Sequence, residues 1–146
     1  MSCATVIRIC ANRRPVADLV TAWPTYNVDT KQGLVQIRNA SDGAVYRIAL
    51  IFEQEVELAG DGSEMRTERS WFDRVPPGLN QADVRGVGAV YGKNQRLGLG
   101  FTDQRGRHWY RDPAGKLGSL PEPLLDRLER EGTLIGQGFL QPVLDR

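Results

Sequence analysis

The stretch that decides the fold runs from Phe101 to Asp112 and reads FTDQRGRHWYRD. Its centre, residues 103–106, has Asp in the first position and Gly in the last, which is typical of a tight β-turn. The residues on both sides of the turn include aromatic side chains, which favour strands. The stretch therefore predicts a β-hairpin, with strands at residues 95–102 and 107–112.

The two faces of this hairpin differ in character. Side chains alternate between the faces of a strand, so Phe101 and Trp109 are expected in the core. His108 and Tyr110 then point to the opposite face. The preceding strand has two glycines on that face, Gly98 and Gly100. Glycines leave a groove or allow close approach of another backbone, so this face is the first place to look for function.

Short apolar runs separated by turn residues continue through the chain. The strongest is AVYRIALIFE at residues 44–53, which predicts a central strand with one apolar face formed by Tyr46, Ile48, Leu50 and Phe52. Residues 57–67 are polar and contain Gly60 and Gly62, which predicts a mobile surface loop. In all, about seven short strands are expected, and these indicate a mostly-β chain folded as a β-sandwich. A partly open barrel is the main alternative.

The chain divides into three parts. Residues 1–15 are expected to form a tail or a short element, and residues 16–120 the β-sandwich domain. Residues 121–146 are expected to form a C-terminal helix and a packing tail. The helix is predicted at residues 121–131, because proline suits its first turn, Gly132 suits its end, and three leucines form an apolar stripe.

Composition narrows the functional classes. The chain has 146 residues, 40% of them apolar and 25% charged, with a formal net charge of +1. Near-neutral charge argues against a nucleic-acid partner bound through phosphate contacts, since such binders normally show a basic excess. No apolar run approaches the length of a membrane span. Cys3 and Cys10 are expected to be reduced thiols, which favours a cytoplasmic location.

Three motifs carry a family resemblance. They are the predicted hairpin from Ile37 to Tyr46, the turn Pro76-Pro77-Gly78, and the F-T-D-x-x-G-x-x-W-x-R-D pattern at residues 101–112. Together they resemble a group of uncharacterised actinobacterial proteins with an immunoglobulin- or fibronectin-like β-sandwich domain. The resemblance spans roughly residues 20–117. It implies an Ig-like sandwich and no particular reaction.

No recognisable catalytic set is present in the sequence. His108 is the single histidine, and its neighbours in sequence offer no activating base for a nucleophile. One histidine and two remote cysteines do not suggest a zinc site, and no cofactor motif is found. Residues 86–92 are glycine-rich but lack the Lys-Ser/Thr of a phosphate loop. We therefore expect no catalytic residue, no metal and no cofactor.

Three functional hypotheses remain. The first is a non-catalytic interaction domain that binds a protein partner or forms a homo-oligomer, with Trp71, His108 and Tyr110 as candidate binding residues. The second is a carbohydrate-binding module, which requires coplanar exposed aromatic rings from the set Trp23, Trp71 and Trp109. The third is an unrecognised carboxylate-based enzyme, which requires an enclosed pocket containing Glu53, Glu55 or Asp73.

Overall fold

A computed structural model describes residues 16–27, 29, 32–60, 62–83, 93–133 and 136–143. The predicted N-terminal tail at residues 1–15 and the glycine-rich segment at residues 86–92 lie outside the described residues. Within the described part, no helix has the length and apolar character needed to cross a membrane.

The described chain contains ten strands and one α-helix. The strands are β1 (Val20–Asn27), β2 (Gln32–Asn39), β3 (Val45–Glu57), β4 (Ser63–Val75), β5 (Gly78–Asp83), β6 (Lys93–Thr102), β7 (His108–Arg111), β8 (Leu117–Leu120), β9 (Gly136–Gln137) and β10 (Phe139–Pro142). Helix α1 spans Leu124–Arg130, and a 3₁₀ turn at Val16–Leu19 precedes β1.

The strands form two sheets that make a β-sandwich, so the predicted fold class is confirmed. One sheet has the order β1-β2-β5-β10 and the other the order β8-β7-β6-β3-β4-β9. Neighbouring strands are antiparallel except for the parallel pair β4–β9. The expected count of about seven strands was too low, because β8, β9 and β10 have only two to four residues each. Such short strands show no measurable alternation.

The core lies between the inner faces of the two sheets. Its fully or nearly fully buried members include Val20, Val35, Ile37, Val45, Ile48, Leu50, Phe52, Phe72, Val75, Leu99 and Phe101. Burial of a side chain of this size contributes about 1.5–3 kcal/mol. Most of these residues alternate along their strands with neighbours that point to the outer face, and this alternation builds the inner faces of the two sheets.

The predicted hairpin at residues 101–112 is present. Phe101 lies opposite Trp109 across β6 and β7, and Trp109 is half-buried against the core. Asp103 organises the turn, since its Oδ1 accepts hydrogen bonds from the backbone N–H groups of Arg105 (2.9 Å) and Arg107 (3.0 Å). Its Oδ2 accepts from Trp109 Nε1 at 3.0 Å. The turn and the ring therefore hold each other in place.

The prediction that Tyr46 belongs to the core is wrong. Its side chain is 43% exposed, whereas Ile48, Leu50 and Phe52 are buried. The cause is Arg47, which has a φ of 50°, beside a register shift of β3 against β6. One irregular residue reverses the alternation of faces, so Tyr46 lies on the outer face.

The predicted surface loop at residues 57–67 is also wrong. β3 continues to Glu57 and β4 begins at Ser63, so most of this segment belongs to a long hairpin. Its turn uses Gly60 and Gly62, with φ of 116° and 106°. The sequence of this segment has no apolar stripe because its strands carry polar side chains on both faces. Polar strands of this kind resemble loops in sequence.

The C-terminal segment joins both sheets. Helix α1 begins after Pro123, later than predicted, and is followed by Gly132 with φ of 70°. The chain then adds β9 to the edge of β4 and β10 to the edge of β5. Residues 121–133 and 136–143 therefore form part of the sandwich in addition to supplying its single described helix.

Candidate functional site

Two aromatic residues flank two small ones in a cross-strand row on the outer face of the six-stranded sheet. The row runs from Trp71 in β4 through Ala49 in β3 and Gly100 in β6 to Tyr110 in β7. Neighbouring strands lie about 4.8 Å apart, so the two small residues leave a gap between the aromatic rings. Trp71 and Tyr110 thus form the two sides of a trough in the sheet surface.

Helix α1 fills this trough. Leu124 lies directly over Gly100, where an added Cβ would be 2.6 Å from the Leu124 Cβ. An ion pair between Arg47 and Asp126 connects the helix to β3. The apolar cluster under the helix consists of Ala49, Leu124, Leu125 and Leu128, with Ile51, Trp71, Tyr110 and Leu120 at its margin. The groove that the glycines predicted is therefore occupied by the protein's own helix.

Tyr110 extends past the helix to the neighbouring row. An added Cβ at Gly98 would be 2.5 Å from Tyr110 Oη, so the hydroxyl lies against this glycine. Burial, followed by the charges of Asp112 and Glu53, raises the pKa of the Tyr110 phenol above its ordinary value of 10.0. The surroundings of Tyr110 therefore favour the neutral phenol over the phenolate.

His108 lies on the same outer face, opposite Thr102. Its Nδ1 is 2.9 Å from Oγ1 of the buried residue Thr102. The nearby carboxylate of Asp103 is directed instead to the turn backbone and to Trp109. This histidine therefore has a hydroxyl partner, which fits a structural role at the end of the hairpin.

The three predicted binding residues thus share one face but do not form one open surface. Trp71 and Tyr110 pack on opposite sides of helix α1, and His108 lies in the adjacent row. The aromatic rings that sequence reasoning assigned to binding are used for packing the helix.

The carboxylates proposed for an enzyme do not converge either. Glu53 is half-buried beside β6, Asp73 is exposed, and Glu55 accepts a hydrogen bond from Ser63 Oγ at 2.6 Å. Among the described residues, no group of three His, Cys, Asp or Glu side chains could hold a metal ion.

The tryptophans lie on three different faces. Trp71 packs at the margin of the cluster under the helix, whereas Trp109 packs against the core between the sheets. Trp23 is in β1, next to Ala22, which contacts the core, so the Trp23 ring is on the outer face of the four-stranded sheet. These three rings do not form the coplanar platform that the carbohydrate hypothesis requires.

A second feature, which sequence reasoning missed, is the far end of the β3–β4 hairpin, residues 53–67, hereafter the arm. The two strands pair without a shift from Ile48 and Phe72 out to Glu57 and Ser63. On its other side, β4 is paired by β9 only at Ser70 and Trp71. Within the described part of the chain, the β4 edge of the arm therefore has no neighbouring strand.

The arm carries exposed apolar side chains among charges. Met65 is 51% exposed and Leu58 is 42% exposed. On the same strand as Met65, Arg66 Nε and Glu64 Oε1 form an exposed ion pair at 2.9 Å. The alternation of charged and uncharged side chains through these residues is the signal that could have identified a strand edge in the sequence.

Comparisons with protein-family models, curated proteins and solved structures gave no match to the chain.

Proposed function

We propose that this protein is a non-catalytic interaction domain that binds a protein by adding a strand to the β4 edge of the arm. The observation that carries the proposal is the edge from Ser63 to Thr67, which no strand of the described residues pairs. A free strand edge presents a row of backbone N–H and C=O groups, which is a template for pairing with another chain.

The side chains along this edge support binding. Ser63, Glu64, Met65 and Arg66 are all exposed. Met65 supplies an apolar contact, and the charges on both sides of it supply orientation and selectivity. Edge strands that avoid pairing with other chains commonly carry charges or proline. An exposed methionine in the middle of the edge instead offers apolar surface to a partner.

Strand order supports the immunoglobulin- or fibronectin-like assignment. In constant-type immunoglobulin domains the first, second and fifth strands share a sheet with the fourth, and the third, sixth and seventh form the other sheet. Here β1, β2 and β5 are together, as are β3, β6 and β7, while β4 has moved to the edge of β3. In this position, the side of β4 that faces away from β3 is accessible along the arm. Sandwiches of this kind host many roles, so the edge and not the fold carries the proposal.

Position-specific photo-crosslinking tests the function. A photoreactive residue at position 67 should crosslink to a defined protein in the cells that produce this chain. The same probe in a Met65→Pro variant should not crosslink, because proline removes a backbone donor from the edge. The control is a probe at Arg105, an exposed residue of the β6–β7 turn. Crosslinks that survive Met65→Pro, or that are equal from position 105, would contradict strand addition.

The platform of three aromatic rings is absent among the tryptophans, but the outer face of the four-stranded sheet favours a smaller carbohydrate-binding site built on one ring as a second candidate function. One row on this face consists of Trp23, Gln36, Gln81 and Gln141, which lie side by side on the four strands. Aromatic faces stack on sugar rings, and neutral amides can both donate and accept hydrogen bonds with hydroxyl groups.

Intrinsic fluorescence tests this second candidate. Soluble oligosaccharides should change the emission of Trp23, and a Trp23→Phe variant should lose the response while Trp71 and Trp109 remain as internal references. Absence of any saturable change across glucan, chitin and mannan oligomers would eliminate the candidate.

A further inference from the structure

We propose that the occupant of the β4 edge is a second copy of this chain, so that two β4 strands pair antiparallel about a two-fold axis through Met65. The inference rests on the proposed function and identifies its partner. It follows from which backbone groups point outward and from how the charges match in one register.

The direction of the backbone groups is fixed at two places along β4. The carbonyl of Trp71 accepts a hydrogen bond from Gly138 N at 3.0 Å, so it points away from β3. The carbonyl of Gly62 accepts from Leu58 N at 3.2 Å, so it points toward β3. Because the pairing between Ile48–Phe72 and Glu57–Ser63 is continuous, the direction alternates without interruption. Ser63, Met65 and Thr67 therefore point their backbone groups to the free side.

This alternation is compatible with a symmetric pair centred on Met65. Met65 then faces Met65 of the second copy in a hydrogen-bonded pair, and Ser63 faces Thr67 of the second copy. Between them, Glu64 faces Arg66 of the second copy, and the reciprocal pair forms by symmetry. The charged residues occupy non-hydrogen-bonded pairs, where the Cα atoms are only about 4.5 Å apart, so their side chains can form ion pairs.

Neighbouring symmetric registers are worse. A pair centred on Glu64 or on Arg66 places identical charges directly opposite each other, which is destabilising. A pair centred on Thr67 brings the second copy alongside Arg69, next to Ser70, where β9 already occupies the edge. Only the register centred on Met65 combines opposite charges with the most exposed part of the edge.

The expected association is moderate. The edge contributes a short ladder of backbone hydrogen bonds and the apolar surface of one methionine from each copy. Contacts of this size belong to the weak and transient class, below about 1,200 Å² of buried surface. Dimer formation should therefore depend on concentration in the micromolar range or above.

Charge exchange between copies tests the inference. Sedimentation velocity of the wild-type chain should show a concentration-dependent dimer. The single variants Glu64→Arg and Arg66→Glu each place like charges opposite each other, and each should weaken self-association at least about tenfold, which corresponds to about 1.4 kcal/mol. An equimolar mixture of the two variants restores opposite charges in the mixed dimer, and the Glu64→Arg/Arg66→Glu double variant restores them in its own dimer. Both should associate like the wild type. The matched control is Arg105→Glu, an exposed charge reversal away from β4, which should leave the dimer unchanged.

The outcomes separate this inference from the proposed function. A wild-type chain that is monomeric at every concentration, or a mixture that associates no better than its components, would overturn the dimer. If crosslinks from position 67 to a different protein are nevertheless lost in Met65→Pro, strand addition is retained with another partner. If both measurements are negative, the β4 edge is not an interface.

Discussion

Leu124 lies over Gly100 at a distance that leaves no room for a Cβ on the glycine. This contact explains why two small residues lie between two aromatic rings in one sheet row. Ala49 and Gly100 receive the helix, while Trp71 and Tyr110 border it. The helix is short, with seven residues from Leu124 to Arg130, and short helices are marginal by themselves. Its stability therefore comes from this fit.

Replacing Gly100 with alanine should destabilise the fold. An added methyl group would overlap Leu124 and force the helix away from the sheet, at a cost of about 1–3 kcal/mol. Urea unfolding measures the change in the free energy of unfolding. Gly118→Ala is the matched control, because nothing lies within 4 Å of an added Cβ at this strand position. Equal effects of the two variants would contradict the account of the helix contact.

Replacing Asp103 with alanine should destabilise the β6–β7 hairpin. The change leaves the Trp109 indole and two turn N–H groups without their charged acceptor. Hydrogen bonds to charged groups contribute about 1.5–3 kcal/mol each, so the loss of stability should be at least that of one bond. Asp112→Ala is the control in the second turn, where the carboxylate accepts from Lys116 N in an exposed setting. A larger effect at Asp112 would contradict the prediction.

Replacing Arg111 with lysine should loosen the connection between the two sheets. The guanidinium donates to the carbonyls of Ala17 (3.1 Å) and Val20 (3.3 Å), and to that of Gly115 (3.1 Å). A lysine ammonium lacks the planar arrangement of donors that reaches several acceptors at once. Limited proteolysis near Val20 should be faster in this variant than in Arg107→Lys, which changes an exposed residue. Identical cleavage rates would show that Arg111 does not hold β1.

The stability of the protein should fall at alkaline pH because of Tyr110. Its pKa in the folded state is raised above 10.0, first by burial and then by Asp112 and Glu53. Below pH 10.0 both folded and unfolded states keep the proton, and the stabilising contribution is complete. As the pH rises from there through the folded pKa, the unfolded state loses its proton first, so the free energy of unfolding decreases. Urea unfolding between pH 9 and 11 should show a smaller decrease for Tyr110→Phe than for the wild type. Tyr46→Phe, which removes the hydroxyl of an exposed ring, is the matched control variant.

Much of the fold could be predicted because apolar and polar residues alternate along the core strands in the sequence. The structure contains the predicted hairpin, in which Phe101 pairs with Trp109 and the turn begins at Asp103. Tyr46 did not, since the positive φ of Arg47 and the register shift beside it have no sequence signature that a pattern of apolar residues reveals. The strands β9 and β10 form because they pair with the edges of β4 and β5, and their own residues show no strand pattern.

The candidate site was harder to predict than the fold. The outer face of the β6–β7 hairpin was expected to be available, but sequence alone does not show that Leu124 returns to cover it. Conversely, Met65 lay in a segment that resembled a loop because the segment has no apolar stripe. Whether a strand edge is free depends on long-range pairing, which residue patterns along one strand do not contain.

Residue-resolved amide exchange tests the central claim most directly. In a dilute solution the outward-pointing N–H groups of Met65 and Thr67 should exchange rapidly, whereas those of Glu64 and Arg66, bonded to β3, should be protected. On raising the protein concentration, Met65 and Thr67 should become protected while the exchange of Glu64 and Arg66 changes little. Rapid exchange at Met65 and Thr67 at every concentration would contradict pairing of two β4 edges.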